Sequence, residues 1–526
     1  MKETITLITP PSLFLLDERV FMNLGILRVA AALEEAGHPV EMLDLSGISN
    51  YEDAVRDHAA STHSTVFGLT ATTPQMPAAR RVSEAIRSVR PDAKLMLGGP
   101  HLTLVNAARK REKKQGIIGR ATRAYCKLQE RFDVLVAGDG EMAVLHAIGA
   151  GRGQLVDADD ARSELFLTNG KLSTLPLPAR HLLDVDSYRY TIDGVAAVSM
   201  IAQLGCPFAC GFCGGRESPM LRRIRMRSVE SIIAEMVHLH TSYGFTGFML
   251  YDDELNVNPK VVELMRAIAR TGRELGVEFR LRGFIKAELF TEEQAEAMYE
   301  AGFRWILTGF ESGAPLILKN INKKATLEDN TRCVEIARRH GLKVKALMSA
   351  GHPGESTETV RETHDWLMAV KPDDFDMTII TTYPGSPYYD FAVPVDADER
   401  VWVYTTNGHR LYSYEVDYME VADYYKGDPD SGYTSFVYTD HLSPEDLVRL
   451  RDFVERDVRY ALNIPYNASA AAIQYEHSMG QSGRLPDHIL RTSPGMPRVA
   501  AAAGNGGYYA MGAGSENGGP GLVQLQ

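Results

Sequence analysis

Residues 197–205 (AVSMIAQLG) are an apolar run, and Cys206-Pro-Phe-Ala-Cys210-Gly-Phe-Cys213-Gly-Gly215 follows directly. A strand that runs into three cysteines within eight positions decides how the rest of the chain is read. Gly205, Gly211, Gly214 and Gly215 let that loop wrap closely around a cluster. Three thiolates in one tight loop suit iron–sulfur ligation, where four irons with three protein ligands leave one iron open. The competing readings are chance, or a zinc site short of its fourth ligand; zinc would want a second Cys or His pair, and none follows nearby. Cys126 and Cys333 stand alone in helical patterns and read as buried packing.

From Val195 onward, apolar strands alternate with helical patterns. The expected strands are Val198–Leu204, Gly247–Tyr251, Glu278–Gly283, Trp305–Phe310, Lys343–Ser349 and Phe375–Thr381. Between them, segments such as 229–243 and 259–275 place apolar residues three and four apart. Six such units fall short of eight and predict a (β/α)6 partial barrel. The first 150 residues alternate in the same way, with strands at 4–9, 40–45, 65–70, 93–97 and 132–137 and helices such as 24–36 and 76–89. That order predicts an α/β, doubly wound (Rossmann-like) parallel sheet with ligands outside the carboxyl ends of its strands. The division expected is 1–150 for this sheet, 151–194 for a linker and 195–390 for the barrel. Residues 391–465 would be a cap or substrate region, and the Gly- and Ala-rich 466–526 a disordered tail. The basic run Arg109–Arg123 reads as a solvated helical face.

Composition removes several classes of function. Lys plus Arg number 56 against 68 Asp plus Glu, a formal charge of −12. Such a chain is poorly suited to grip nucleic acid or anionic lipid by bulk electrostatics. No stretch approaches the roughly 18–20 apolar residues of a membrane span, and the first residues read as strand and turn, not as a secretion signal. Five cysteines in 526 residues are no disulfide framework, so a reducing cytoplasm is the expected location.

The triplet CxxxCxφC, with aromatic Phe212 before the third cysteine, resembles the radical S-adenosylmethionine (SAM) superfamily. The resemblance covers about 195–390 and implies that Cys206, Cys210 and Cys213 hold a 4Fe–4S cluster whose open iron chelates SAM. It places Phe212 near the adenine and Asp252, Asp253 and Glu254 where the family meets the methionine amino group. Glu311 and Ser312, in GFESG, and Gly351, in AGHPGE, fall at strand ends that face SAM, and Arg282 is a candidate for the methionine carboxylate. As plain residues, the acidic trio is also a polar strand-end loop, and Arg282 equally suits an internal ion pair.

A doubly wound domain ahead of such a barrel resembles the cobalamin-binding members of that family. The residues that carry the likeness are Pro10, Asp44, Thr70, Thr72, Thr73, Gly98, Gly99, His101, Gly138 and Glu141, all at expected strand ends. The motif D-x-H-x-x-G, which brings the lower axial histidine in many cobalamin proteins, does not occur. His101 is therefore expected near the corrin edge, not on cobalt. The resemblance implies a cobalamin-dependent radical SAM methyltransferase acting on an unactivated carbon, or phosphorus, of a small metabolite or peptide. One SAM would remethylate cobalamin and another would generate the radical, with electrons from a flavodoxin or ferredoxin. The rival readings are a rearrangement, ring contraction or cyclisation without methyl transfer, and a non-catalytic cobalamin or redox sensor.

Overall fold

The computed structural model describes residues 2–15, 18–427 and 432–465. The segment expected as a disordered tail, 466–526, lies outside the described residues. Six parallel strands form the first sheet: β1 (Ile5–Thr9), β2 (Val40–Asp44), β3 (Val66–Thr70), β4 (Lys94–Gly98), β5 (Val134–Ala137) and β6 (Gln154–Asp157). Their order, β2-β1-β3-β4-β5-β6, reverses between β1 and β3 and opens a crevice there. Helices Leu24–Glu35 and Gly140–Gly149 cover one face through Ile26, Ala30 and Val144; Tyr51–Ser61, Met76–Val89 and Arg120–Arg131 cover the other through Val55, Val82 and Leu128. Strand β6 falls in the expected linker. It is a four-residue edge strand with little burial, so no apolar period announced it.

A two-residue β7 (Thr191–Ile192) runs antiparallel to β8 (Val195–Met200). β9 (Gln203–Leu204) and β10 (Arg225–Met226) pair as a ribbon behind the cysteine loop. With β8, the strands β11 (Gly247–Leu250), β12 (Arg280–Phe284), β13 (Phe303–Glu311), β14 (Lys343–Ala350) and β15 (Asp374–Ile379) form six parallel strands in chain order. Met249, Trp305 and Leu307 fill the inside of the curl, while Phe248, Leu281 and Ile306 pack under the outer helices. The cap is an antiparallel meander, β16 (Val393–Pro394), β17 (Val401–Thr406), β18 (His409–Tyr414) and β19 (Val437–Thr439), followed by the helix Pro444–Leu462.

Two sequence expectations need correction. Cys126 is exposed, because its helix buries Ala121, Tyr125 and Leu128 on the opposite face. The basic run is not simply solvated: Arg120 donates to the carbonyl of Tyr389 (2.6 Å) and pairs with Glu415 (3.2 Å), and Arg123 pairs with Glu399 (2.5 Å). The acidic cap seats on this basic face. Among the described residues no helix is long and apolar enough to cross a membrane.

A six-stranded curl leaves β15 with an open edge of unpaired backbone groups. The last helix closes it with side chains. The N–H of Met377 donates to Glu455 (2.6 Å), its carbonyl accepts from Arg451 Nε (2.8 Å), and the carbonyl of Phe375 accepts from Arg459. Farther along, the N–H of Ile379 donates to the Tyr433 hydroxyl (2.8 Å). Lys345 is paired with Asp374 (2.9 Å) and Asp376 (3.1 Å) in the same fully buried patch. Removing one member of such a network leaves uncompensated buried charge, at a cost of about 3–5 kcal/mol. Glu455→Ala is expected to lose that much stability in urea unfolding; an unchanged midpoint would mean that the edge is held by other contacts.

Candidate active site at the barrel mouth

The cysteine loop leaves β9 through Gly205, whose φ is +88° and where a Cβ would lie 2.1 Å from the carbonyl oxygen of Arg223. Only glycine fits this approach. The Arg222 guanidinium then gathers the loop, donating to the carbonyls of Phe208 (2.7 Å), Gly214 (2.8 Å), Gly215 (3.2 Å) and Cys206 (3.3 Å). Gly211 is pinned on the far side, its N–H donating to Ile321 (2.8 Å) and its carbonyl accepting from the N–H of Tyr388 (3.2 Å). Burial pushes the Cys206 thiol up to about 11 and raises that of Cys210. Among the described residues no three His, Cys, Asp or Glu side chains are gathered as a ready metal site. The Cys213 thiol is turned toward the carbonyl of Gly214 (3.7 Å).

Around this loop the structure sorts the remaining sequence candidates. Asp252 is buried, and one of its oxygens accepts from the N–H groups of Ala202 and Gln203 (2.7 Å each). Asp253 accepts from the N–H of Gly205 (2.8 Å), so both aspartates shape the turn into the cysteines. The Glu254 carboxylate finds no hydrogen-bond donor among the described residues; burial pushes it up to about 7 although Lys323 and Lys286 lie near. Glu311, at φ +66°, pairs with Lys323 (3.0 Å) and accepts from Ser349 (2.8 Å). Burial opposes its ionisation, but Lys323 and these bonds hold it below the usual carboxylate range. Phe212 packs against the His352 ring (5.4 Å between centroids), and Gly351, at φ +85°, donates its N–H to Glu355 (3.2 Å). Ser312 turns outward to Thr363 (3.0 Å). Arg282 lies two residues below the end of β12, over Trp305 (5.5 Å) and bonded to Tyr190 inside the curl.

Sequence reasoning missed Lys286, Lys323, Ser349, His352 and Tyr388. Lys286 follows the end of β12, and barrel sites are built at strand ends; that rule points past Arg282 to Lys286. His352 stands inside a strand-end motif already singled out, AGHPGE.

Above the first sheet lies a cavity of 510 Å³ whose lining includes Thr70, Thr72, Gly98, Gly99, Gly138 and Glu141. Pro10, Asp44, Thr73 and His101 do not line it. The Pro10 carbonyl accepts from Gln75 (2.9 Å), Asp44 accepts from the Tyr188 hydroxyl (2.7 Å), and Thr73 bonds the buried His101 (3.1 Å). Gly99 lies against β3: at φ +95°, a Cβ would come within 2.6 Å of Thr70 Oγ1. The cavity extends as an apolar slot down the sheet face over Leu7, Gly68, Met96 and Val136, and a Cβ at Gly68 would fill it 2.9 Å from Leu7. Its far wall comes from the barrel: Ile201, Leu204, Met220 and Tyr251. The buried pair Asp139–Arg225 (2.6 Å) and the acceptance by Asp159 of bonds from Ser218 (2.8 Å) and the N–H of Met220 (2.9 Å) tie the two halves together there.

With this geometry in view, the sequence matches the Radical SAM superfamily over residues 200–367 and the B12 binding domain over residues 18–129. The chain thus joins a B12 binding domain to a radical SAM domain, the pairing found in cobalamin-binding radical SAM enzymes. It is 28% identical to an uncharacterized methyltransferase of Pyrococcus horikoshii, over 62% of this chain and 69% of that protein. It is 25% identical to the anaerobic magnesium-protoporphyrin IX monomethyl ester cyclase of Rubrivivax gelatinosus, over 68% and 63%. In fold it is similar to the radical SAM methyltransferase TsrM of Kitasatospora setae, solved with cobalamin and a [4Fe-4S] cluster (TM-score 0.55, 20% identity, 78% of this chain and 82% of that one). The cofactors of this radical SAM enzyme are a 4Fe–4S cluster, SAM and cobalamin.

The residues present fit those groups. Three soft thiol donors share one clamped loop, Glu254 offers an acceptor without a partner, and the glycine-floored slot suits a flat macrocycle with an apolar arm. An acid raised from 4.5 to about 7 keeps its proton in the fold but not in the unfolded chain between those values. Its contribution therefore falls as pH rises through that window, by on the order of 3 kcal/mol. In protein freed of cofactors, Glu254→Gln is expected to gain on the wild type between pH 5 and pH 8 in unfolding experiments; a pH-independent difference would show that Glu254 ionises freely. The lining residues include no histidine. In electron paramagnetic resonance, the Co(II) state of bound cobalamin is accordingly expected to show no superhyperfine splitting that changes when the protein is labelled with 15N-histidine, and a splitting that responds to that label would contradict it.

Proposed function

We propose that this enzyme is a cobalamin-dependent radical SAM methyltransferase that methylates an unactivated carbon, or a phosphorus, of a small metabolite or peptide. The observation that carries the reading is the shared wall: residues just before and after the cysteine triplet, Leu204 and Met220, line the cavity above the first sheet. A substrate between the two sites would be within reach of both cofactors. When bound, the cluster and SAM supply a hydrogen-abstracting deoxyadenosyl radical, and cobalamin supplies the methyl group.

The chain's own residues do the positioning. Cys206, Cys210 and Cys213 would hold the cluster, with their loop fixed by Arg222. Glu254 and Asp253 would offer acceptors to the SAM ammonium, and Lys286 or Lys323 a cation to its carboxylate, in place of Arg282. Glu311 and Phe212 would orient the ribose and adenine. Tyr251 and the apolar cavity wall keep water from the reacting centre. Gly98, Gly99 and Gly138 would let the corrin approach the backbone, and Thr70 and Thr72 would cover its lower face with hydroxyls.

The similarity to the cyclase favours one further reading, chemistry on both cofactors without methyl transfer. Mass spectrometry with methyl-labelled SAM separates the two. Label in the product is expected; product without label would establish the cyclase-like alternative, and no turnover with any substrate would favour the sensor. Replacing all three cysteines by Ala is expected to abolish cluster absorption and deoxyadenosine formation together, and persistence of the cluster would overturn the ligand assignment.

A further inference from the structure

An unbroken run of hydrogen bonds crosses the barrel mouth. Lys323 Nζ meets Glu311 Oε1 (3.0 Å), Glu311 Oε2 meets Ser349 Oγ (2.8 Å), Ser349 Oγ meets His352 Nε2 (2.8 Å), and His352 Nδ1 meets the Tyr388 hydroxyl (3.2 Å). Tyr388 is in turn bonded through its N–H to Gly211 of the cysteine loop (3.2 Å), and its ring lies where a Gly211 side chain would stand. His352 is wholly buried, and burial pushes it down to about 4, so its ring is neutral and has one N–H.

The direction of every bond follows. An ionised carboxylate only accepts, so Ser349 spends its single hydroxyl proton on Glu311. Its oxygen must then accept from His352, which puts the ring proton on Nε2. Nδ1 is left as an acceptor, and Tyr388 donates to it. The donors form one series aimed at Glu311, a residue whose left-handed backbone (φ +66°) is costly for a side chain with a Cβ.

We infer that His352, as its Nε2–H tautomer, is a positioning residue that holds the Glu311 carboxylate in register with the cysteine loop, so that the SAM contact and the cluster ligands move as one body. This rests on the assignment of Glu311 to SAM made above. Ser349 and Tyr388 are the links on either side. The arrangement is particular to a histidine at 352: a leucine there would leave the Ser349 oxygen and the Tyr388 hydroxyl without their partner.

The first test needs no cofactor. In protein labelled with 15N-histidine, the resonance that disappears in His352→Gln is expected to report an Nε2–H, Nδ1-acceptor ring; an Nδ1–H ring would overturn the inference. The second measures SAM affinity by equilibrium dialysis in cluster-loaded protein. His352→Leu is expected to weaken binding about tenfold, near 1.4 kcal/mol, with iron content and cluster absorption unchanged. His352→Gln, whose side-chain amide can still donate to Ser349, is expected to recover most of the loss. Wild-type affinity in His352→Leu would sink the positioning role. Glu311→Ala serves as the control: if it too binds SAM normally, the assignment of Glu311 fails and the positioning role with it. Loss of methyl transfer with the affinities behaving as expected would fault the proposed reaction alone.

Discussion

The pair between Asp139 and Arg225 is the contact on which the arrangement of both halves depends. Asp139 stands at the end of β5, and Arg225 opens β10, just behind the cysteine loop. Both are almost fully buried, at 2% exposure each. Taking two charges out of water costs several kcal/mol per ion unless the geometry is close and the remaining bonds are filled. Here most of them are: Asp139 also accepts from the N–H of Leu167 (3.0 Å), and Arg225 also donates to the carbonyl of Met220 (2.8 Å), with Arg225 Nε left buried without a hydrogen-bond partner among the described residues. An apolar contact would tolerate sliding. A buried pair in which one guanidinium nitrogen meets both carboxylate oxygens accepts one register, and that register places the glycine-floored slot opposite the cysteine loop.

The second constraint comes from leaving the barrel open. A closed eight-stranded barrel has no edges, but it also has no broad mouth for a second domain to face. Six strands gain that mouth and expose two rims. At one rim β7 turns back antiparallel on β8; at the other, Glu455, Arg451 and Arg459 bond the backbone of β15 as a further strand would. Because these are side chains, the seal is made without presenting a new edge. The last helix is thus bound to the function of the barrel, although it lies on its outside.

How much of this was legible in the sequence depended on the kind of signal. Buried parallel strands are continuous apolar runs, so β1 to β5 and the six barrel strands were readable to within a few residues. The cysteine spacing was readable because the loop is contiguous. β6 and β7 were not, being short edge strands with no apolar period. The side-chain roles were hardest. Ser312 and Arg282 sit beside true strand ends, yet one residue of phase or depth turns a side chain toward the helices or into the curl. Lys286, Lys323 and His352 meet only in three dimensions, across segments from 286 to 352, and no local pattern announces such a meeting. The basic run pairs with the cap for the same reason.

The charges at the mouth follow from that convergence. Glu254, Glu288 and Glu311 face two ammonium groups, Lys286 and Lys323. Lys323 is committed to Glu311 at 3.0 Å and Lys286 to Glu288 at 3.2 Å, which leaves Glu254 as the acid without a partner. In a buried site an unmatched carboxylate balances its charge by keeping a proton, and Glu254 is pushed up to about 7. The surplus group is thus an acid set among groups already paired.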